Sequence, residues 1–146
     1  MSIAVVVTNG HRRYRLNKRV AREYVCRVLK REGKRDASVS LIFVDSVLIR
    51  RLNRQYLRHD FVTDVLAFPL GDPGFLEGEI YVNVDRARQQ ASSYRVTFGA
   101  EIARLVIHGT LHLAGYDDST QSLAGIMKHE EDRHVRYWFD KRRGDG

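Results

Sequence analysis

The sequence predicts an α+β fold, a single domain over residues 1–146 in which a mixed sheet packs against helices. Short β-branched runs such as 3–7 and 39–44 are typical of buried strands, while other segments repeat apolar residues at the spacings of three and four that mark amphipathic helices. Strands and helices are interleaved without a strict βαβ rhythm, which favours a mixed sheet over an all-parallel one. The chain has 146 residues, the size of one domain.

The first half predicts two strands, each followed by a helix. After the strand at 3–7, a helix runs from about 17 to 32, and Gly33 stops it. The polar face of this helix is basic, with Lys18, Arg19, Arg22, Lys30 and Arg31. After the strand at 39–44, Asp45 and Ser46 can cap a helix that ends near Tyr56. The residues expected to face inward from this second helix are Val47, Leu48, Leu52 and Tyr56.

The second half predicts two further strands and three helices. Its elements, in order, are a polar loop at 57–64, a strand at 65–70, a turn at Gly71-Asp72-Pro73-Gly74, a strand at 78–82, and helices at 85–94, 98–114 and 120–139. Within the helix at 98–114, residues 102–114 are apolar nearly all round, which predicts that this helix lies inside the protein. A basic tail, Lys141-Arg142-Arg143, closes the chain.

Composition and charge narrow the class of protein. With 43% hydrophobic and 29% charged residues the chain reads as globular, and its single cysteine, Cys26, excludes an internal disulfide and favours a reducing compartment. The short apolar N-terminal run lacks the features of a signal peptide, and no apolar stretch approaches the roughly 20 residues of a membrane helix, so we expect a cytoplasmic protein without a membrane partner.

The net charge of +7 is concentrated in the first quarter of the chain. Eleven basic residues lie between Arg12 and Arg35, against the acidic Glu23 and Glu32. A sequence pI of about 9.9 is in the range of nucleic-acid-binding domains. A solvated helix face gives the same pattern, so charge alone leaves both interpretations open.

The segment 101–118, EIARLVIHGTLHLAGYDD, carries the residues best suited to chemistry. His108 and His112 are four residues apart on the buried helix and therefore share one face. Such pairs are usually incidental on surface helices, but buried imidazoles are costly without a partner. This spacing lets both histidines reach one metal ion, as in the His-Glu-x-x-His helices.

A glycine and two aspartates follow the histidines. Gly115 suits the left-handed residue that ends a helix, after which Asp117 or Asp118 can fold back to supply a third ligand. Three protein ligands leave one position open, as in catalytic sites. Gly109 stands where a zinc protease carries its general-base glutamate, which disfavours peptide cleavage. We assign no role to the histidines that lie outside both this segment and the polar loop at 57–64. They are His11, His129 and His134.

The run 108–118 resembles the His-Gly-x-Leu-His-Leu-x-Gly-Tyr-Asp-His signature of the YbeY family, the endoribonucleases of rRNA maturation. Two further blocks resemble the family, LNRQYLRHDFVTDVLAFP at 52–69 and Gly78-Glu79-Ile80. The resemblance implies a metalloprotease-like α+β fold and a cytoplasmic, zinc-dependent RNA hydrolase. It implies action on the 3′ end of 16S rRNA and in ribosome quality control, with rRNA and the ribosome or its small subunit as partners. The metal ligands it implies are His108, His112 and the residue at 118.

Two positions depart from the family pattern. The third ligand, usually histidine, is Asp118, which suits zinc but also iron(II); we expect one Zn²⁺, with Fe²⁺ or another divalent cation as the alternative. Leu57 stands where the family has an arginine, and Arg58 can take over its role of holding a phosphate. His59 and Asp60 are candidate proton-transfer groups, although Asp60 can equally serve to build the turn.

Three functions are compatible with these observations. The leading hypothesis is a metal-dependent endoribonuclease for single-stranded rRNA, with Arg58 and His59 as catalytic residues. The second is a ribosome-associated assembly factor in which the metal is structural. The third is a metallohydrolase of another substrate class, which Gly109 and the positive charge disfavour. The sequence leaves the oligomeric state open.

Overall fold

The computed structural model describes residues 2–71 and 74–145, and their side chains as far as residue 139. The elements in this part of the chain are β1 (Ile3–Asn9), α1 (Lys18–Arg31), β2 (Ala37–Val44), α2 (Ser46–Leu57), β3 (Val65–Leu70), β4 (Leu76–Asn83), α3 (Val84–Tyr94), α4 (Phe98–Leu113) and α5 (Gln121–Asp145). Asp72 and Pro73, at the centre of the predicted turn, and the side chains of the predicted basic tail lie outside the described residues.

The four strands form one mixed sheet in the order β1-β2-β4-β3. β2 pairs in parallel with both β1 and β4, and β3 pairs antiparallel with β4. This arrangement confirms the predicted α+β class and mixed sheet. Strands β1, β2 and β4 are longer than predicted, because the ladder continues through residues such as Asn9 and Ser38 that carry no strand signal of their own.

Helices α1 and α4 pack side by side on one face of the sheet, and α5 packs against α4. Alternate strand residues point toward them, so that Val39, Leu41 and Ile80 are buried while Val6, on the other face of β1, is 62% exposed. Because α4 contacts the sheet and three other helices, it is apolar on most of its circumference, as the sequence predicted. No helix in the described part of the chain combines the length and apolar character that crossing a membrane requires.

The predicted inward face of α2 is wrong. Val47 is 69% exposed and Tyr56 is 61% exposed, whereas the buried residues of this helix are Ile49 and Asn53. The Asn53 amide donates a hydrogen bond of 3.1 Å to the Phe61 carbonyl in the loop that follows. A polar contact with that loop therefore sets the orientation of α2, and counting apolar residues cannot detect it.

Candidate metal centre

The end of α4 turns the chain back over its own histidines. Gly115 has a φ of +114°, the left-handed conformation that its position predicted. The N–H groups of Gly115 and Tyr116 donate to the carbonyls of His112 and Leu111 at 3.1 and 3.0 Å, which is the hydrogen-bond pattern of a Schellman motif. The reversal carries the following aspartates back toward the last two turns of the helix.

His108, His112 and Asp118 come together at this end of α4. The Nε2 atoms of the two histidines are 3.2 Å apart, and Asp118 Oδ2 lies 3.4 Å from His112 Nε2 and 3.7 Å from His108 Nε2. Ligands around a tetrahedral zinc ion, bound at about 2.0–2.1 Å, are separated by roughly 3.3 Å. One divalent ion therefore fits this triangle with shifts of a few tenths of an ångström, and the donor set suits zinc or iron(II).

Glu131 on α5 holds His108 in the orientation that a metal ligand requires. Its Oε1 lies 2.7 Å from His108 Nδ1, and the side chain is almost completely buried. Burial alone raises the pKa of Glu131, but the hydrogen bond from His108 and the charge of Arg104 outweigh it and leave the pKa below its ordinary value. An ionised carboxylate only accepts, so Nδ1 carries the proton and Nε2 presents its lone pair to the site.

Arg104, one turn before His108, connects Glu131 to a second buried carboxylate. Its guanidinium lies 3.4 Å from Glu131 Oε2 and binds both oxygens of Glu101. Gln90 on α3 donates a further hydrogen bond of 2.6 Å to Glu101. Because a buried charge without a partner is strongly destabilising, this chain of contacts keeps Glu131 charged and fixed behind His108.

The His112 imidazole is held in the neutral form that binds metals. Burial lowers its pKa, and the neighbouring His108 lowers it further, while Asp118 and the backbone of Tyr116 act in the opposite direction. Asp117 has a different role from its neighbour. Its carboxylate accepts from the Ser119 N–H at 3.0 Å and from the Ser119 hydroxyl at 2.6 Å, so it builds the loop rather than orienting a histidine.

Gly109 faces the sheet. A Cβ at this position would lie 2.6 Å from Ile80 Cγ2 and 3.1 Å from Val65 Cγ2. The place where a zinc protease carries its glutamate thus has no room for a side chain, because β3 and β4 occupy it. The helix presents two histidines to the candidate metal centre and no general base between them.

The loop that carries Arg58 and His59 is fixed from three sides. Three consecutive carbonyls, those of Phe61, Val62 and Thr63, accept hydrogen bonds from Asn53 of α2, Arg86 of α3 and Asn83 of β4. The loop ends at Asp64, just before β3, and the charge of Asp64 acts on Arg104.

The predicted side chains in this loop differ in their surroundings. Arg58 is exposed in the left-handed conformation, with φ +58°, and His59 is exposed and stacks on Phe61 at 5.4 Å. Asp60 accepts from Arg50 at 2.9 Å and lies 3.3 Å from Arg54, and the hydrogen bond from Arg50 lowers its pKa. A carboxylate held in this way is a poor proton acceptor near neutral pH, so the structural role of Asp60 is favoured.

Comparison with known proteins gives the same assignment as the motifs. The family model described as endoribonuclease YbeY matches residues 7–138. The chain belongs to the endoribonuclease YbeY family. The endoribonuclease YbeY of Chlorobium phaeovibrioides is 38% identical over 75% of this chain and 74% of its own length, and that of Salinibacter ruber is 35% identical over 88% of each. This membership confirms the predicted family and its enzyme class.

A solved structure has a fold similar to that of this chain. The solution structure of TM1509 from Thermotoga maritima superposes with a TM-score of 0.69 at 30% sequence identity, covering 97% of this chain and 93% of that one. The agreement extends over nearly the whole length of both chains.

Glu131 is a functional residue that was not predicted from the sequence, although the chain contains a signal for it. The inward positions of α5 include Met127, Glu131, His134 and Trp138, all buried, at spacings of four, three and four. A glutamate within an otherwise buried stripe requires a polar partner. That requirement points to the buried histidine helix, and it could have identified the contact with His108.

Proposed function

We propose that this chain is a cytoplasmic, metal-dependent endoribonuclease that cleaves single-stranded rRNA during maturation of the 16S 3′ end, with zinc as its metal. The observation that carries the proposal is the triangle formed by His108, His112 and Asp118, whose spacing fits one metal ion. Glu131 orients His108, one of its two histidines. Membership of the YbeY family supports RNA as the substrate.

In this proposal, different side chains bind the metal, orient a ligand, hold the phosphate and transfer a proton. His108, His112 and Asp118 would hold the metal, which when bound supplies Lewis-acid chemistry at the phosphate and activates water. Glu131 keeps the His108 lone pair aimed at the site. Arg58 would hold a non-bridging phosphate oxygen through its planar fork. His59 would move a proton to or from the ribose-phosphate.

The test measures metal content and cleavage together. A labelled single-stranded RNA with the 16S 3′-end sequence is incubated with the purified protein, with chelator, and with zinc restored. Cleavage should stop with chelator and return with zinc. Asp118→Asn should weaken metal binding by about 10-fold or more and reduce cleavage, because it removes a charged ligand. The matched variant Asp117→Asn should change metal affinity less, because the hydrogen bonds to the Asp117 carboxylate come from Ser119 and the Asp118 backbone and not from a histidine.

Two results would contradict the proposal. A metal-loaded protein that binds this RNA tightly but leaves it intact would favour the assembly factor with a structural metal. Metal binding that survives Asp118→Asn but is lost in Asp117→Asn would show that the wrong aspartate has been assigned to the site.

A further inference from the structure

The loop that carries Asp118 is attached to the far end of α1 by one hydrogen bond. The Tyr116 hydroxyl, two residues before Asp118, donates to Glu32 Oε1 at 2.7 Å. The same residue contacts the His112 ring through its backbone. The Tyr116 backbone therefore contacts the candidate ligand His112, and Tyr116 precedes the candidate ligand Asp118 by two residues. Its hydroxyl binds Glu32, which is 84 residues away in the sequence.

Glu32 is itself held in place. It caps the C-terminus of α1, where its N–H donates to the Val28 carbonyl at 2.9 Å, and Val28 is buried in the core. Its second oxygen, Oε2, lies 3.1 Å from Nε2 of His134 on α5, and the His134 side chain is 4% exposed. Both oxygens of Glu32 thus have partners, one on the loop and one on α5.

We propose that Glu32 is a positioning residue for the metal centre, which through the Tyr116 hydroxyl fixes the loop that presents Asp118 to His108 and His112. The inference rests on the proposed metal site. The Asp118 side chain is 45% exposed and lies three residues after Gly115, so without an anchor this segment would sample more conformations. An anchor that orders it before metal binding removes that entropy cost from the binding step. His134, given no role from the sequence, becomes the buried support of the anchor.

The charges around Glu32 fit a hydrogen-bonded anchor better than a second metal site. Glu32, Glu130 and His134 present ligand atoms within 4.8 Å of one another, a spacing that would also admit a cation. However, Arg133 binds both Glu130 oxygens, at 3.0 and 2.7 Å, and its charge also acts on Glu32. The guanidinium already compensates this cluster, and a divalent ion there would face a positive charge.

The first experiment measures zinc affinity and the free energy of unfolding for a set of single variants. Tyr116→Phe keeps the ring but removes the donor, and Glu32→Ala removes the acceptor; each should weaken zinc binding by about 10-fold. Glu32→Gln retains an acceptor oxygen and should restore most of that loss. Tyr56→Phe, an exposed tyrosine on α2, is the matched control and should leave zinc affinity unchanged.

A stability control separates positioning from general loosening. Val25→Ala on α1 should lower the free energy of unfolding without touching the loop, because Val25 is fully buried in the core. Its zinc affinity should match the parent as long as the variant is folded. If Val25→Ala weakens zinc binding as much as Tyr116→Phe at equal loss of stability, Glu32 acts on the fold and not on the site.

The deciding measurement is a double-mutant cycle with Asp118. If Tyr116 acts by presenting Asp118, then Tyr116→Phe should have no further effect on zinc affinity in an Asp118→Asn background. Additive losses would overturn the inference, as would Glu32→Ala binding zinc like the parent. A second equivalent of zinc that disappears in Glu130→Gln would also overturn it, since the carboxylates would then be ligands. Absence of tight zinc binding in the parent would instead refute the proposed function.

Discussion

Arg58 and Arg95 are the non-glycine residues of the described chain with a positive φ, at 58° and 57°. Both end a helix, α2 and α3 respectively, where glycine is the residue that adopts this conformation without steric cost. A left-handed arginine costs roughly 1 kcal/mol relative to the right-handed region. Strain of this kind is often retained at functional sites, which makes the pair a natural comparison.

We expect Arg58→Gly to make the protein more stable and less active. The free energy of unfolding should rise by about 0.5–1 kcal/mol. Glycine relieves the backbone strain, but part of this gain is lost because glycine gives up more conformational entropy on folding than arginine does. RNA cleavage should fall, because the guanidinium that would hold the phosphate is lost. Thermal unfolding and the cleavage assay on one preparation measure both effects.

Arg95→Gly provides the matched control for this prediction. It should give the same gain in stability, since its backbone conformation is nearly identical, and leave cleavage at the parent level. Cleavage at the parent level in both variants would show that Arg58 is not a catalytic residue. A loss of cleavage in both would indicate that net charge, not the position of Arg58, is what matters.

At the scale of single residues the sequence predicted the side chains that share a helix or follow it directly. His108 and His112 lie one helix turn apart, and Gly115 turns the chain back, so local spacing predicted the two histidines and one of the two aspartates. The choice of Asp118 over Asp117 came from the resemblance to the family. Glu131 and Glu32 approach the same region from α5 and α1, and local spacing says nothing about such long-range contacts.

At the scale of elements, two glycines allow α4, the helix that carries both histidines, to pack closely on β3 and β4. Gly109 and Gly78 let the helix approach closely: a Cβ at Gly109 would meet Ile80 and Val65, and one at Gly78 would meet Leu113 and the Phe68 carbonyl. β-branched side chains such as Ile80 and Val65 are stiff and give way reluctantly. Gly109, which stands in place of a general base, therefore also allows α4 to pack closely on β3 and β4.

We expect Gly109→Ala to destabilise the protein by about 1–3 kcal/mol, because the added methyl overpacks the contact between α4 and the sheet. Denaturant unfolding measures this loss. Gly99→Ala lies in the same helix, where the added carbon has no atom of another element within 4 Å, and should stay within about 0.5 kcal/mol of the parent. Tolerance of both substitutions would show that α4 is free to move away from β3 and β4.

Elements were also where sequence patterns reached their limit. The nearly all-round apolar character of α4 predicted its burial correctly, since the helix contacts the sheet and three other helices. In α2 the apolar pattern predicted the wrong inward face. Asn53 is buried and hydrogen-bonded to the following loop, whereas Val47 and Tyr56 are exposed to solvent. A periodicity argument assumes that apolar residues alone decide which side faces inward.

At the scale of the whole molecule, the net charge of +7 attracts an anionic partner over a longer range than any single contact does. On the basic face of α1, Lys18 and Arg19 are exposed, and the Arg19 side chain is 87% exposed beside Glu23 at 3.9 Å. Arg22 is different, because its Nε donates to the Val5 carbonyl of β1 at 3.1 Å. Arg22 therefore joins α1 to the sheet, and the other two residues are the appropriate ones for testing RNA binding.

If α1 contacts the RNA, its affinity should weaken steeply with salt, with a slope of roughly −0.7 in log K against log salt for each phosphate contacted on a single strand. Removing two contacts with Lys18→Gln and Arg19→Gln should reduce the slope by about 1.4. The control, Arg88→Gln with Arg136→Gln, removes the same charge from exposed positions on α3 and α5 and should change the slope less. Binding titrations at several salt concentrations measure all three proteins. Equal slopes for the two double variants would mean that α1 contributes only to the overall electrostatic field of the protein.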